Sequence, residues 1–408
     1  MPASGRLAAS GAAPIFMPKL LMPNMILLYD TPASRQKMEP LSWLRPLGHL
    51  WWGTRTLQQC WQGISNKPVS CVSAGLLNEA GTGPLADNDT YWCIDACLPP
   101  TPLAWQYIAQ LVPGQALLQA NRVLAVCTRQ PIAYGHLPMY DSAVQASADL
   151  SVFHHPINLV QQQAQALRQQ FDLFYQPQLP PAGWGNTLLG KNVYVGAGAD
   201  VKACMLNTSE GPIVIEAGAL VMEGCLIRGP VYIGANAVVK MGSQLYGGTS
   251  VGPRCTVGGE VKNSVLMEGS NKAHHGYLGD SYIGAWCNLG AGTSNSNVKN
   301  NAGNVTLWQG GSDEGYAAGI KAGTIMGDHS RTAINTSLNT GTVVGICCSI
   351  HQPGLSSKYV PSFSWGPGHT YDAAKAVADA AAWKLLKNQQ LSDEEKQLIL
   401  NAFNHNAA

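Results

Sequence analysis

The sequence predicts an α/β domain followed by an all-β parallel β-helix and C-terminal helices, and three observations carry that expectation. Counting in sixes from Ile215 gives Val221, Ile227, Ile233, Val239, Leu245, Val251 and Val257, all aliphatic. A period of six fits neither a 3.6-residue helix nor a two-residue strand alternation. It fits a short strand plus a tight corner, repeated, which is the hexapeptide signature of a parallel β-helix. Between Met25 and Gln176, strand-like and helix-like runs alternate, the pattern of a layered α/β domain. At the other end, YDAAKAVADAAAWKLLK is an Ala-rich helix, and Ser392-Asp-Glu-Glu395 is a capping box that opens a last one.

Composition narrows the class. Of 408 residues, 46% are hydrophobic but only 12% are charged, well below the usual quarter, and 44 are glycine. Such a chain suits a solenoid of tight corners whose surface is partly covered. A net charge of +1 gives no basis for a nucleic-acid or electrostatic membrane partner. No apolar run reaches the roughly 18 residues needed to span a bilayer. The eleven cysteines include CIDAC and the pair Cys347–Cys348 but no paired CxxC pattern. Buried reduced thiols in a cytoplasmic protein are expected.

Residues 1–24 carry Arg6 and Lys19 with no acid, and Pro14, Pro18 and Pro23 break any signal-type apolar core. They read as a disordered extension, or as sequence upstream of a start at Met25. MILLY opens the α/β domain, 25–176, as a buried strand, and DTPASRQKMEPLSWLRPLGHL follows as a loop. Strand-like VSCVSA, TYWCIDA and ALLQANRVLAVC then alternate with helical TPLAWQYIAQLV and VQQQAQALRQQFDLFY, predicting three layers. In the last run Leu159, Ala166 and Phe171 share a face, with glutamines opposite. A Pro/Gly linker occupies 177–187. The β-helix runs over 188–368, with hexads at Leu189, Val195 and Val201, two residues inserted near SEGP, and a register slip after Val257. Hexads return at Ile283 and Leu289, leave through the excursion SNSNVKNNAGNVTLWQGGSDEGYAAG, and resume at Ile320, Met326, Thr332, Leu338, Val344 and Ile350. Excursions from a rigid prism are where binding residues are expected. The helical tail, 369–408, is expected across the open end of the solenoid or on a neighbour.

Chemistry concentrates in residues 271–297, NKAHHGYLGDSYIGAWCNLGAGTSNSN, which groups Lys272, His274, His275, Tyr277, Asp280, Asn295 and Asn297. Here the chain resembles the bifunctional N-acetylglucosamine-1-phosphate uridylyltransferase/glucosamine-1-phosphate acetyltransferases (the GlmU type). That family carries a Lys-Ala-Gly-His-x-x-Tyr-Leu-Gly-Asp run, then Ile-Gly-Ala-Gly-Thr and Asn-Tyr. Aligned on Tyr277-Leu278-Gly279-Asp280, His274 takes the general base's place, Gly290-Ala291-Gly292-Thr293 matches, and Asn297 matches while Val298 replaces the Tyr. GPVYIGANAVVKMGSQLYGG, GGEVKNSV, MGDHSRTAINTSLNTGTVVG and KYVPSFSWG are more similar still to a bacterial group of sugar nucleotidyltransferase-like proteins. The resemblance covers about residues 25–400.

The resemblance implies a Rossmann-like nucleotidyltransferase-like domain joined to a left-handed β-helix acyltransferase, assembled as a homotrimer with sites between neighbouring prisms. Acetyl-CoA is the implied acyl donor, and sugar phosphate and nucleoside triphosphate are the implied partners, with Mg2+ if the first domain is active. An imidazole, which changes charge near physiological pH, suits removal of the amine proton as nitrogen attacks the thioester. The implied catalytic residues are therefore His274 and Asn297. Corner amides at Gly290, Ala291 and Gly292 are candidates for the oxyanion and the cofactor, with Lys358 for coenzyme A phosphates. Lys272, Tyr277, Asn295, His329 and Arg331 are candidate substrate contacts.

In the first domain the family's Gly-rich phosphate loop is absent. Arg35 stands for the loop Arg and Arg45 for the family's Lys, Asp95 is the candidate metal-binding acid, and Asn121 falls where an Asp is expected. Two rival readings stay open. One is a non-catalytic β-helix that assembles or regulates a ligand-binding first domain. The other is a zinc site among His274, His275, His329 and His351, whose spacing does not match the paired pattern of zinc β-helices.

Overall fold

The computed structural model describes residues 24–73, 90–129 and 137–407. The extension expected over 1–24 lies outside the described residues, apart from Asn24. Within the first domain a six-stranded sheet runs in the order Val69–Val72, Met25–Tyr29, Tyr91–Asp95, Arg122–Thr128, Gln115–Gln119, Ser142–Gln145. Its first three strands are parallel, and Arg122–Thr128 runs antiparallel to both its neighbours. The single run read from ALLQANRVLAVC is thus two strands, folded at Ala120 (φ 51°) and Asn121.

Two further expectations change. The stretch after the first strand is not a loop. Thr31 and Ser34 form a capping box and Pro32 sits in the first turn, so Pro32–Lys37 winds into α1, and Leu47–His49 forms a 3-10 turn. The next four α-helices also lie on one side of the sheet. α2 (Leu57–Ser65), α3 (Pro102–Ile108), α4 (Pro156–Gln161) and α5 (Gln163–Phe174) bury Trp61, Ile108, Leu159 and Phe171 in one cluster with Ile26 and Leu28. The opposite face holds Leu27, Tyr29, Tyr91 and Cys93 among the described residues.

The remainder is a prism of parallel strands with three faces. Nine strands from Val193–Val195 to Tyr359–Val360 form the first face, and eight from Asp200–Val201 to Ser349–Ile350 form the second. The third runs from Thr187–Leu189 to Tyr277–Gly279 and continues in the pair Ser294–Asn295 and Ser337–Leu338. Interior rungs are the counted ones: Val221, Ile233, Val251 and Val257 are at most 1% exposed. Small corners let the coils close up; a Cβ on Gly234 would stand 2.6 Å from the Pro253 nitrogen.

The register after Val257 does not break; corners shorten. Val251 pairs with Leu266, fifteen residues on, and Leu266 pairs with Ile283, seventeen on, where Ile215 to Ile233 takes eighteen. Two counted positions are off. Leu189 points outward at 46% exposure while Leu188 faces the core, because a one-residue shift moves a strand side chain to the other face. Ile320 is 54% exposed, and the hexads restart at Met326.

The first domain sits on the prism's first face. Outward residues there (Val214, Tyr232, Ser250, Tyr282, Ile325 and Val343) are as buried as the inward ones. The expected division of α5 into apolar and glutamine faces fails for this reason. Gln163 and Gln170 are almost wholly buried; Gln163 bridges the Gly53 backbone to Ser250 and Gln170 receives the Thr54 N–H at 2.7 Å. Tyr282 completes the seam, its hydroxyl accepting from Trp51 N–H at 2.8 Å and donating to Trp51 C=O at 2.9 Å.

The excursion also belongs to this seam. Its antiparallel hairpin, Thr306–Gln309 with Ser312–Ala317, stacks Tyr316 on His155 at 4.8 Å and Trp308 on Tyr359 at 4.1 Å. The tail forms α6 (Ala373–Leu385) and α7 (Asp393–Ala407). They pack along the edge between first and second faces, on Ile346, Cys347 and Phe363, with Trp43 and Leu44 of the first domain against the same cluster. All eleven cysteines are free and all but Cys71 are buried. Among the described residues no helix is long and apolar enough to cross a membrane.

Candidate functional site

The corner that carries His274 turns the chain from the second face to the third. His274 and His275 are exposed on it. Lys272 lies just before, in register with the interior rung Val257 and 2% exposed. Its stem fills the core, and its Nζ donates to the carbonyls of Gly258 at 2.8 Å and His274 at 2.9 Å. Burial pushes its pKa down to about 8. Lys272 therefore does not reach a phosphate; it ties down the backbone of the exposed imidazole. Gly276 is required there, since at φ 127° a Cβ would meet the Thr293 carbonyl at 2.2 Å.

On the neighbouring third face a polar cluster has formed. Asn297 Nδ2 donates to the Tyr277 hydroxyl at 3.0 Å and to the Asp280 carboxylate at 2.5 Å, and Asn263 donates to the other Asp280 oxygen at 2.7 Å. Burial, ahead of the nearby Asp280 and Glu260 carboxylates, raises the Tyr277 phenol to about 12, so it stays protonated as a donor.

Asn295, expected to touch substrate, points inward in register with Leu338. Its amide exchanges bonds with the Gly279 N–H at 2.8 Å and C=O at 3.0 Å. Two of the three corner amides are also committed: Gly290 N–H reaches the Thr332 carbonyl at 3.2 Å and hydroxyl at 3.0 Å, and Gly292 N–H the His275 carbonyl at 3.1 Å. The Ala291 carbonyl accepts from Asn335 N–H at 2.7 Å. Lys358 is exposed and its ammonium rests on the Thr340 carbonyl.

His329 and Arg331 lie elsewhere, on the edge between first and second faces. Arg331 is held by the Asp379 carbonyl of α6 at 3.2 Å and lies over the Trp383 ring, on a different edge of the prism from His274. His329 is 5% exposed and beside Arg45, whose guanidinium forms a buried ion pair with Asp328 and contacts the Met267 sulfur at 3.1 Å. Asp328 also accepts the Ala285 N–H at 2.8 Å. The four histidines of the zinc reading are thus not gathered, and among the described residues no cluster of three metal-binding side chains occurs.

In the first domain the expected phosphate arginines serve the fold. Arg35 reaches Asp30 at 3.3 Å, Ser73 at 2.7 Å, the Arg45 carbonyl at 3.1 Å and the Ser42 carbonyl. Asp95 does not fit a magnesium site: one oxygen takes Arg122 at 2.7 and 3.0 Å, the other the Cys97 N–H at 2.9 Å. Counting missed the Arg45–Asp328 pair and the Tyr282 seam. Strands apolar at three successive positions, such as IVI and VYI, were the available signal, since they need a covered outer face.

Residues 26–177 match the family model described as sugar nucleotidyl transferase. The bifunctional sugar-1-phosphate nucleotidylyltransferase/acetyltransferase of Sulfurisphaera tokodaii is 35% identical over 102 residues, 25% of each chain. The bifunctional protein GlmU of Methanococcus vannielii is 36% identical over 86 residues, 21% of this chain and 20% of that one. The GlmU protein of Trichodesmium erythraeum is 28% identical over 153 residues, 37% and 28%. The match spans about a quarter of these relatives' length. A solved Arabidopsis UDP-N-acetylglucosamine acyltransferase aligns with 16% identity over 52% of this chain and 86% of its own, at a TM-score of 0.19. Over these stretches the chain is similar to the bifunctional sugar-1-phosphate nucleotidylyltransferase/acetyltransferases, and its residues 26–177 match the sugar nucleotidyl transferase family model.

Proposed function

We propose that this protein is a transferase of sugar-nucleotide biosynthesis whose β-helix moves an acetyl group from acetyl-CoA to an amino sugar carrying phosphate. The observation that carries the reading is a family-matched sugar nucleotidyl transferase domain joined to a prism with an exposed imidazole on a braced corner. His274 takes a proton from the acceptor nitrogen as that nitrogen attacks the thioester carbonyl, and coenzyme A leaves as the thiol. Asn297 and Tyr277, fixed by Asp280, orient the acceptor's polar groups on the adjoining face. Lys358 meets a phosphate of coenzyme A. Assembly is trimeric, with the acceptor held between the His274 corner and a neighbouring prism; the exposed Met205 and Leu226 on the third face suit such a neighbour.

The first domain binds a ligand or scaffolds instead of transferring nucleotides, a reading favoured by the commitments of Arg35, Arg45 and Asp95 within the fold. Incubation with acetyl-CoA and glucosamine 1-phosphate, followed by free thiol, tests the acyl step. His274→Ala should lower kcat by about 10²–10⁴, the range for loss of a general base. No thiol release above background across a panel of amino sugars and their phosphates would sink the acyltransferase reading.

A further inference from the structure

Between the first domain, the prism edge and α7 lies a cavity of about 390 Å³, within the range of small-molecule sites. We propose that it is a second binding site, distinct from the His274 corner, for an uncharged polyhydroxylated ligand of monosaccharide size. Its position already separates it: His274 turns between second and third faces, whereas this cavity opens on the edge between first and second.

Two buried polar atoms in its wall have no partner among the described residues, Arg45 Nε and His329 Nδ1. They are chemically unlike. Arg45 Nε can only donate, while a neutral imidazole nitrogen donates or accepts according to tautomer. A hydroxyl does both, so a sugar hydroxyl that reaches either atom satisfies it whichever tautomer His329 adopts. Leaving such atoms unpaired costs free energy that a bound hydroxyl recovers. Burial first, then the Arg331, Lys384 and Arg45 charges, pushes His329 down to about 3, so it remains a neutral hydrogen-bonding group.

The charges argue against phosphate. The wall contributes one cation, Arg45, against the carboxylates Asp328, Glu268 and Glu395. Arg45 is spent on Asp328, while Glu268 and Glu395 are paired from outside by Arg254 at 2.7 Å and Lys384 at 2.6 Å. Among the described residues of the wall no free cation remains for an anion, but carboxylates beside the indoles of Trp51 and Trp286 suit hydroxyls and the apolar face of a pyranose. Because all three parts of the chain line the cavity, occupancy would also brace α7 against the first domain.

Titration calorimetry of the full chain with glucose, N-acetylglucosamine, glucosamine and glucose 1-phosphate tests this without any activity readout. An uncharged sugar should bind saturably with Kd about 1 mM, and glucose 1-phosphate at least about tenfold more weakly. His329→Asn, whose side chain tolerates the φ of 58° at this position, should weaken binding about tenfold or more. Leu398→Trp, on the half-buried helical wall, should abolish it by filling the space while the thermal midpoint is kept. No saturable binding, preference for the phosphorylated sugar, or binding untouched by both variants would each overturn the proposal. These outcomes are independent of whether His274 supports acetyl transfer.

Discussion

Lys272 occupies an interior rung that the repeat reserves for aliphatic residues, and its consequence can be worked out. Replacing it with methionine keeps the stem and removes the ammonium. In the wild type the folded amine titrates near 8, against about 10.5 when the chain is unfolded, because burial disfavours its charge. Below about pH 8 both states carry the proton and the full cost of the buried charge is present. Between about 8 and 10.5 the unfolded chain binds the proton and the folded one does not, so wild-type stability rises with pH. At about 1.4 kcal/mol per pKa unit, the gain between pH 8 and 9.5 is about 2 kcal/mol. Lys272→Met lacks this term. Urea unfolding of both proteins at pH 7, 8 and 9.5, with matched m-values, should show the stability difference moving toward the wild type by that amount above pH 8. A flat difference refutes the buried-charge account. A difference falling with pH also refutes it, since that is the sign of an amine whose partners hold its proton.

Two further tests address the seam. Tyr282→Phe leaves the Trp51 N–H and C=O buried without their partner and should cost about 2–6 kcal/mol in urea unfolding, at roughly 1–3 per buried group. Tyr232→Phe, whose hydroxyl makes no hydrogen bond among the described residues, should cost under about 0.5 kcal/mol; equal costs would remove the seam argument. Burial lowers His155 to about 4 from its ordinary 6.5, so the unfolded chain takes up the proton first and stability falls as pH drops. From pH 6.5 to 5 the loss should be about 2 kcal/mol, and His155→Asn, which keeps an N-cap acceptor for α4, should be free of it. Acid unfolding curves that superimpose would refute this assignment.

The candidate site was legible in part, for a physical reason. His274, Tyr277 and Asp280 lie on one coil and Asn297 on the next, about twenty residues on, so a local motif sufficed to bring them onto adjoining surfaces. Lys272 and Asn295 read as binding residues in the sequence because polar side chains in a motif suggest chemistry. Both turned out to be interior rungs whose polar ends satisfy corner backbone groups. The apparent register slip that drew attention to this region is three shortened steps, Val257 to Val261, Val261 to Leu266 and Leu278 to Ile283, which keep the core continuous. The excursion after Asn295 looked like a binding loop and instead staples the first domain through His155 and Asn158.

The prism itself needs only near neighbours. Outside the excursion, across which Tyr282 pairs with Ile325, each coil pairs with the one before it some fifteen to twenty-one residues away, and the same inward face recurs mostly every sixth residue, so a one-dimensional pattern carries it. What covers a face is another matter. Gln163 meets Ser250 across 87 residues, Trp51 meets Tyr282 across 231, and Arg45 meets Asp328 across 283. No period relates such partners, because they are set by how two finished surfaces fit. Folding of the complete chain therefore turned Arg35, Arg45 and Asp95 from expected ligands of phosphate and metal into buried ties, and opened the cavity on the prism edge.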